Sequence, residues 1–138
     1  MFNWKKKTSI YIGRFQPFHD GHKTLFLKTL KKNGQVAILI MDSYKINDKN
    51  PFKFSKVKKL IDQKLKHYKN KYVIIKIPVV SDVVYGRKVG YKIRKINLSQ
   101  KIQKISPIIY LPIITMIEIL RMKKAIVYLK NFNPIINL

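Results

Sequence analysis

The chain of 138 residues contains no cysteine, which excludes a disulfide framework and a thiolate metal site. That absence suits a reducing cytoplasm, the compartment we expect. Acidic residues are nearly as scarce: six Asp and Glu stand against thirty Lys and Arg, a formal charge of +24. Arginine is scarce too, confined to Arg14, Arg87, Arg94 and Arg121. A dedicated nucleic-acid binder would use arginine for bidentate phosphate and guanine contacts. The lysines, together with many Ile and Asn, fit the codon bias of an A/T-rich genome. We therefore read the charge as a general attraction for anions, with nucleic acid engaged only through non-specific charge. No apolar run reaches the about 20 residues that span a bilayer. The longest, Ile108 to Leu120, holds Pro112 and Glu118. No transmembrane segment is expected, and the start MFNWKKKTSIYIG lacks the apolar stretch of a secretory signal.

What is present is a hydrophobic fraction of 46%, ordinary for a globular protein, in a chain long enough for one domain with a core. Thr8 to Ile12 reads as a buried strand that runs into Gly13. Leu25, Phe26, Leu27 and Leu30 recur at helical spacing from about His22 to Lys32, and Asn33-Gly34 stops that helix. Val36 to Met41 is a second strand, with Asp42 and Ser43 at its carboxyl end. Val57, Leu60, Ile61 and Leu65 mark an amphipathic helix from Ser55 to His67, and Tyr72 to Ile77 is a third strand. Val83 to Gly90 reads as a loop, and Tyr91 to Ile96 as an edge strand. Strand, helix, strand, helix, strand with near-continuous apolar strands is the pattern of right-handed βαβ units on a parallel sheet. The expectation is an α/β, Rossmann-like parallel sheet with helices on both faces. It forms a single domain over 1–106, and 107–138 is a divergent apolar and basic tail.

In such sheets ligands bind beyond the carboxyl ends of the strands. The first strand ends at Gly13, where the string GRFQPFHDGH begins. Gly13 lets the backbone leave the strand and a phosphate approach it. His19 and His22 lie three apart across a helix start, so both imidazoles can face one side. Gly21 leaves room between them. The free N–H groups and positive dipole end of this helix form an anion site, with Arg14 and Lys23 nearby. Taken alone, an HxxH pair is more often solvated or an incidental metal pair. The ten-residue string between a buried strand and an amphipathic helix is far more specific.

That string resembles the HxGH nucleotidyltransferase superfamily, and within it the archaeal-type nicotinamide-mononucleotide adenylyltransferases with their GRFQPxHxGH form. Asn50-Pro51-Phe52 is similar to that group's NPF loop. Val84 to Arg87, with Val89 to Tyr91, resembles a nucleotide-side segment of cytidylyltransferase-like proteins. The resemblance implies transfer of AMP or CMP from ATP or CTP to a small phosphorylated acceptor such as nicotinamide mononucleotide, with release of pyrophosphate. It implies that His19 and His22 stabilise the α-phosphate and the transition state. The nucleotide phosphates would lie on Gly13, Arg14, Phe15, Gln16, Gly21 and Lys23, with Tyr85, Gly86, Arg87 and Ser106 as further nucleotide contacts. Mg2+ would enter on the nucleotide phosphates, with no metal ligand from the protein.

The family's second signature, ISxTxxR, departs from its pattern here. Lys104-Ile105-Ser106 stands where it should begin, but Ile108 occupies the threonine position and Leu111 the arginine position. Ser106-Pro107 still suits a helix cap. Thr115 and Arg121 are out of spacing, and Lys56-Val57 replaces the family's Glu-Arg pair after the NPF loop. Two alternatives therefore stay open beside the enzyme: a catalytically impaired nucleotide-binding remnant, and a polyanion-binding protein. Self-association into a homo-oligomer is also open.

Overall fold

The computed structural model of the protein describes residues 1–87 and 90–103. Three strands, β1 (Ser9–Gly13), β2 (Val36–Met41) and β3 (Tyr72–Ile77), form a parallel sheet in the order β1-β2-β3. Helix α1 (Asp20–Asn33) connects β1 to β2. Helix α2 (Phe54–Lys64), followed by a 3₁₀ segment at Lys66–Lys71, connects β2 to β3. A four-residue helix, α3 (Gln100–Gln103), comes last. The second and third strands fall where the apolar runs place them. The first helix begins two residues earlier than its apolar periodicity suggests, because His19 caps it. At its other end Gly34 adopts φ 72°, the left-handed conformation that favours glycine, and donates its N–H to the Leu30 carbonyl. The second helix stops at Lys64, and the chain kinks at Tyr68.

The strand register separates the two faces of the sheet. Tyr11, Ile38 and Ile74 are aligned across the three strands, as are Val36 and Tyr72. Phe26 of α1 and Val57 and Ile61 of α2 join Tyr11, Val36, Ile38, Ile40 and Tyr72 in one buried cluster. Both helices thus cover the same face. Ile10 and Ile12, on the opposite face of β1, are 63% and 38% exposed. The expectation of helices on both faces is not met among the described residues. Two right-handed crossovers that step in the same direction, from β1 to β2 to β3, must fall on one face.

A second correction concerns Tyr91 to Ile96, which has no strand structure and is largely exposed. Apolar alternation there finds no neighbouring strand among the described residues, and an isolated strand has no ladder to stabilise it. Val83 to Arg87 is irregular, as its turn residues suggest. The tail at 107–138, together with Ser106, Ile108, Leu111, Thr115 and Arg121, lies outside the described residues. Among the described residues, no helix is long and apolar enough to cross a membrane.

Candidate active site

The carboxyl end of β1 opens into the loop that carries the histidines. Gly13 pairs with Ile40 in the sheet. A Cβ at this position would come within 2.7 Å of the Phe15 ring. Glycine is therefore required by the ring that folds back over it, whatever ligand approaches. Phe15 itself holds φ 53° and is 3% exposed. Such a conformation in a residue other than glycine costs on the order of 1–3 kcal/mol and persists when packing enforces it. Here the ring stands edge-on to Tyr11 at 5.1 Å and to His22 at 5.2 Å, and lies 5.6 Å from Phe18.

His19 is the N-cap of α1 and takes extended dihedrals. Its Nδ1 accepts the Gly21 N–H at 3.1 Å, while His22 Nδ1 accepts the His19 N–H at 3.2 Å. The two bonds make a capping box from two imidazoles, where a Ser or Thr with a Glu or Gln would ordinarily serve. Their rings stack with centroids 3.7 Å apart. Because each Nδ1 is an acceptor, the proton of each neutral ring resides on Nε2.

The surroundings of both rings favour the neutral imidazole. Burial pushes the His22 imidazole down to about 3, aided by His19 beside it and opposed by a hydrogen bond with the Pro17 backbone. His19 is lowered as well, first by burial and then by the charge on Lys64, with Asp20 acting against both. Lys64, at the end of α2, is ion-paired with Asp20 in the first turn of α1. A positive helix end, two neutral N–H donors and surrounding cations form a place that favours an anion.

A second group of residues lies at the carboxyl ends of β2 and β3. Asp42 pairs with Lys76 at 3.0 Å, and the Lys76 ammonium sits 4.5 Å from the centre of the Tyr44 ring and 5.4 Å from that of Phe54. Hydrogen bonds from the Tyr44 backbone and from Lys76 hold the Asp42 carboxyl below its ordinary range, and the same Asp42 contact raises Lys76. With Lys45, Phe52 and Lys53 these residues line an open cleft. Gln16 ties the histidine loop to it: its side-chain amide donates to the Phe52 carbonyl at 2.8 Å and accepts the Phe52 N–H at 2.9 Å.

The structure brings Gly13, Phe15, Gln16, His19, Gly21 and His22 together around the start of α1. Arg14 is exposed on the same loop and Lys23 half-buried in the first turn, its N–H bonded to the His19 carbonyl at 3.0 Å. Tyr85, Gly86 and Arg87 are exposed in the irregular segment after β3. No hydrogen bond, ion pair or ring contact among the described residues joins them to this group. Ser106 lies outside the described residues. Sequence reasoning missed Gln16 as a side-chain tie, and it missed Lys76. The one signal for Lys76 was a charge interrupting the apolar strand YVIIKI. Among the described residues, no three His, Asp or Glu side chains cluster closely enough to hold a metal ion.

A solved bifunctional NMN adenylyltransferase/ADP ribose pyrophosphatase from Francisella tularensis, complexed with AMP and an Mn ion, is 33% identical over 54% of this chain, with a TM-score of 0.50. A second structure of that bifunctional enzyme from the same organism gives 33% identity over the same share and a TM-score of 0.49. The relative is bacterial, so the expected kinship with the archaeal-type form is corrected to one with NMN adenylyltransferase-type enzymes more broadly. The matched part spans 23% of the length of those chains. No curated protein matches the chain. The family model described as cytidylyltransferase-like matches residues 10–127, from within β1 through the histidine loop and beyond. The chain belongs to the cytidylyltransferase-like family.

Proposed function

We propose that the protein transfers AMP or CMP from a nucleoside triphosphate to a phosphate-bearing acceptor, with nicotinamide mononucleotide the preferred candidate. The observation that carries this reading is the stacked pair of histidines capping α1 at the carboxyl end of β1. The GRFQPFHDGH form and the NMN adenylyltransferase activity named for the Francisella relative both favour that acceptor.

In this reaction an oxygen of the acceptor phosphate attacks the α-phosphorus of the triphosphate. The new P–O bond forms as the bond from the α-phosphorus to the bridging oxygen breaks, and pyrophosphate leaves with that oxygen. A phosphate monoester has a second pKa of about 6, so the attacking group is largely ionised near neutral pH and needs no strong base. Catalysis then consists of positioning and of stabilising charge on the phosphoryl oxygens. His19 and His22 suit this role as neutral Nε2–H donors. The backbone from Gly13 to Gln16, with Gly21, cradles the phosphates, and Arg14 and Lys23 add positive charge. Tyr85, Gly86, Arg87 and Ser106 are proposed as further nucleotide contacts.

The loop offers N–H donors and cations, which suit phosphate oxygens, and its Asp20 is engaged with Lys64. This donor set fits a divalent cation, Mg2+ or a similar ion, carried in on the triphosphate. When bound, that ion neutralises charge on the phosphates. The experiment is chromatography of the products of ATP or CTP with nicotinamide mononucleotide. A dinucleotide product is expected; its absence with both nucleotides, at protein concentrations that bind ATP, would favour the non-catalytic reading.

A further inference from the structure

Gln16 uses both hydrogen-bonding ends of its side-chain amide on a single backbone residue, Phe52, at 2.8 and 2.9 Å. That is the pairing one strand offers another, supplied here by a side chain. The two residues are 36 apart in sequence and belong to the loops that leave β1 and β2. On one side, Gln16 follows Phe15, whose left-handed backbone is held by core packing, and precedes His19 by three residues. On the other, Phe52 follows a turn in which the Asn47 side chain accepts the Asn50 N–H at 2.9 Å. Phe52 then lines the cleft of Tyr44, Lys45 and Lys76.

We propose that Gln16 is a positioning residue that sets this cleft, as the acceptor's side of the site, against the histidine loop that takes the triphosphate. The proposal rests on the nucleotidyl-transfer reading above. In-line transfer needs the attacking oxygen about 3–3.5 Å from phosphorus, and a misplacement of about 1 Å can cost a factor of about 10². A cleft wall on one loop and a phosphate cradle on another keep that register only if the loops are joined. The two bonds of Gln16 join them directly.

Two variants and two measurements test this. Gln16→Leu removes both bonds. Gln16→Glu keeps the shape, and its ionised carboxylate still accepts the Phe52 N–H but offers no proton to the Phe52 carbonyl. Once protonated, the same side chain restores both bonds. Pyrophosphate release with ATP and nicotinamide mononucleotide is measured beside amide exchange at Phe52, each relative to the unsubstituted protein at the same pH. With Gln16→Leu, kcat/KM for nicotinamide mononucleotide is expected to fall about 10²-fold. ATP affinity by calorimetry should fall by much less than kcat/KM, since the phosphates meet the loop backbone and not the Gln16 side chain. The Gln16→Glu defect should shrink as pH falls from 8 to 5, and the Gln16→Leu defect should not.

A merely structural Gln16 would lower the folded fraction and scale both substrates alike; that pattern overturns the proposal. So does equal amide exchange at Phe52 in the unsubstituted protein and Gln16→Leu. If the unsubstituted protein releases no pyrophosphate, the nucleotidyl-transfer reading fails. The exchange at Phe52 still decides the tie: slower exchange than in Gln16→Leu upholds it, and equal exchange sinks it.

Discussion

His19 and His22 stack at 3.7 Å while each accepts a backbone N–H at Nδ1, so the pair that would handle phosphate also caps the helix that carries it. Capping and chemistry can be separated by substitution. Gln is a natural partner at the third helical position of a capping box, able to accept the His19 N–H. His22→Gln is therefore expected to leave stability within about 1 kcal/mol of the parent, because a cap interaction is worth about that much. Turnover should fall by about 10² to 10³, the typical loss of a single donor to a developing anion. Denaturant melts and steady-state rates on the same preparation check both.

The depressed His22 has a consequence for stability against pH. Its folded value of about 3 lies below the ordinary 6.5, so the unfolded chain binds a proton that the folded chain refuses. The contribution to stability is complete above pH 6.5 and is lost as pH falls from there towards 3. The expected slope approaches one proton, or about 1.4 kcal/mol per pH unit, over that window. Urea melts at pH 7, 6, 5 and 4 should show the decline, and His22→Gln should flatten it. An identical slope in both proteins would remove His22 as the cause.

Gly13→Ala tests the claim that the Phe15 ring is what excludes a side chain. A methyl group 2.7 Å from ring carbons must displace them, and overpacking of this kind costs about 1–3 kcal/mol. Combining it with Phe15→Leu should give less than the sum of the two single losses, since the clash is removed. Additive losses would place the cause elsewhere.

Tyr11 is buried, and among the described residues its hydroxyl has no hydrogen-bond partner. Burial alone raises its pKa. Removing an unsatisfied buried hydroxyl returns a desolvation penalty, so Tyr11→Phe is expected to stabilise the fold by about 1 kcal/mol. A thermal melt should move up by a few degrees. A fall in Tm would mean that the hydroxyl is bonded in solution.

The three strands and both long helices were legible because apolar residues recur with the period of each element, and Asn33-Gly34 marks the stop before β2. The histidine loop was legible as a string of unusual composition. Its cap was not, since imidazole rarely serves as an N-cap and propensity gives no warning of it. Nor was the role of Gln16: a side chain pairing with a backbone 36 residues away leaves no periodic trace. The coverage of the sheet was misjudged because apolarity on both faces of β1 does not say which face the crossovers take. Tyr91 to Ile96 shows the same limit, with strand composition but no neighbouring strand to receive it among the described residues.

The most direct test of the central claim is pyrophosphate release from ATP or CTP in the presence of nicotinamide mononucleotide and Mg2+. The unsubstituted protein and His19→Ala with His22→Gln, in single and double form, are compared under the same conditions. Nucleotidyl transfer at this loop requires acceptor-dependent release by the unsubstituted protein and its loss, by about 10² or more, in each variant that remains folded. Release that is equal in all four proteins, or none from any of them while ATP binds, contradicts it.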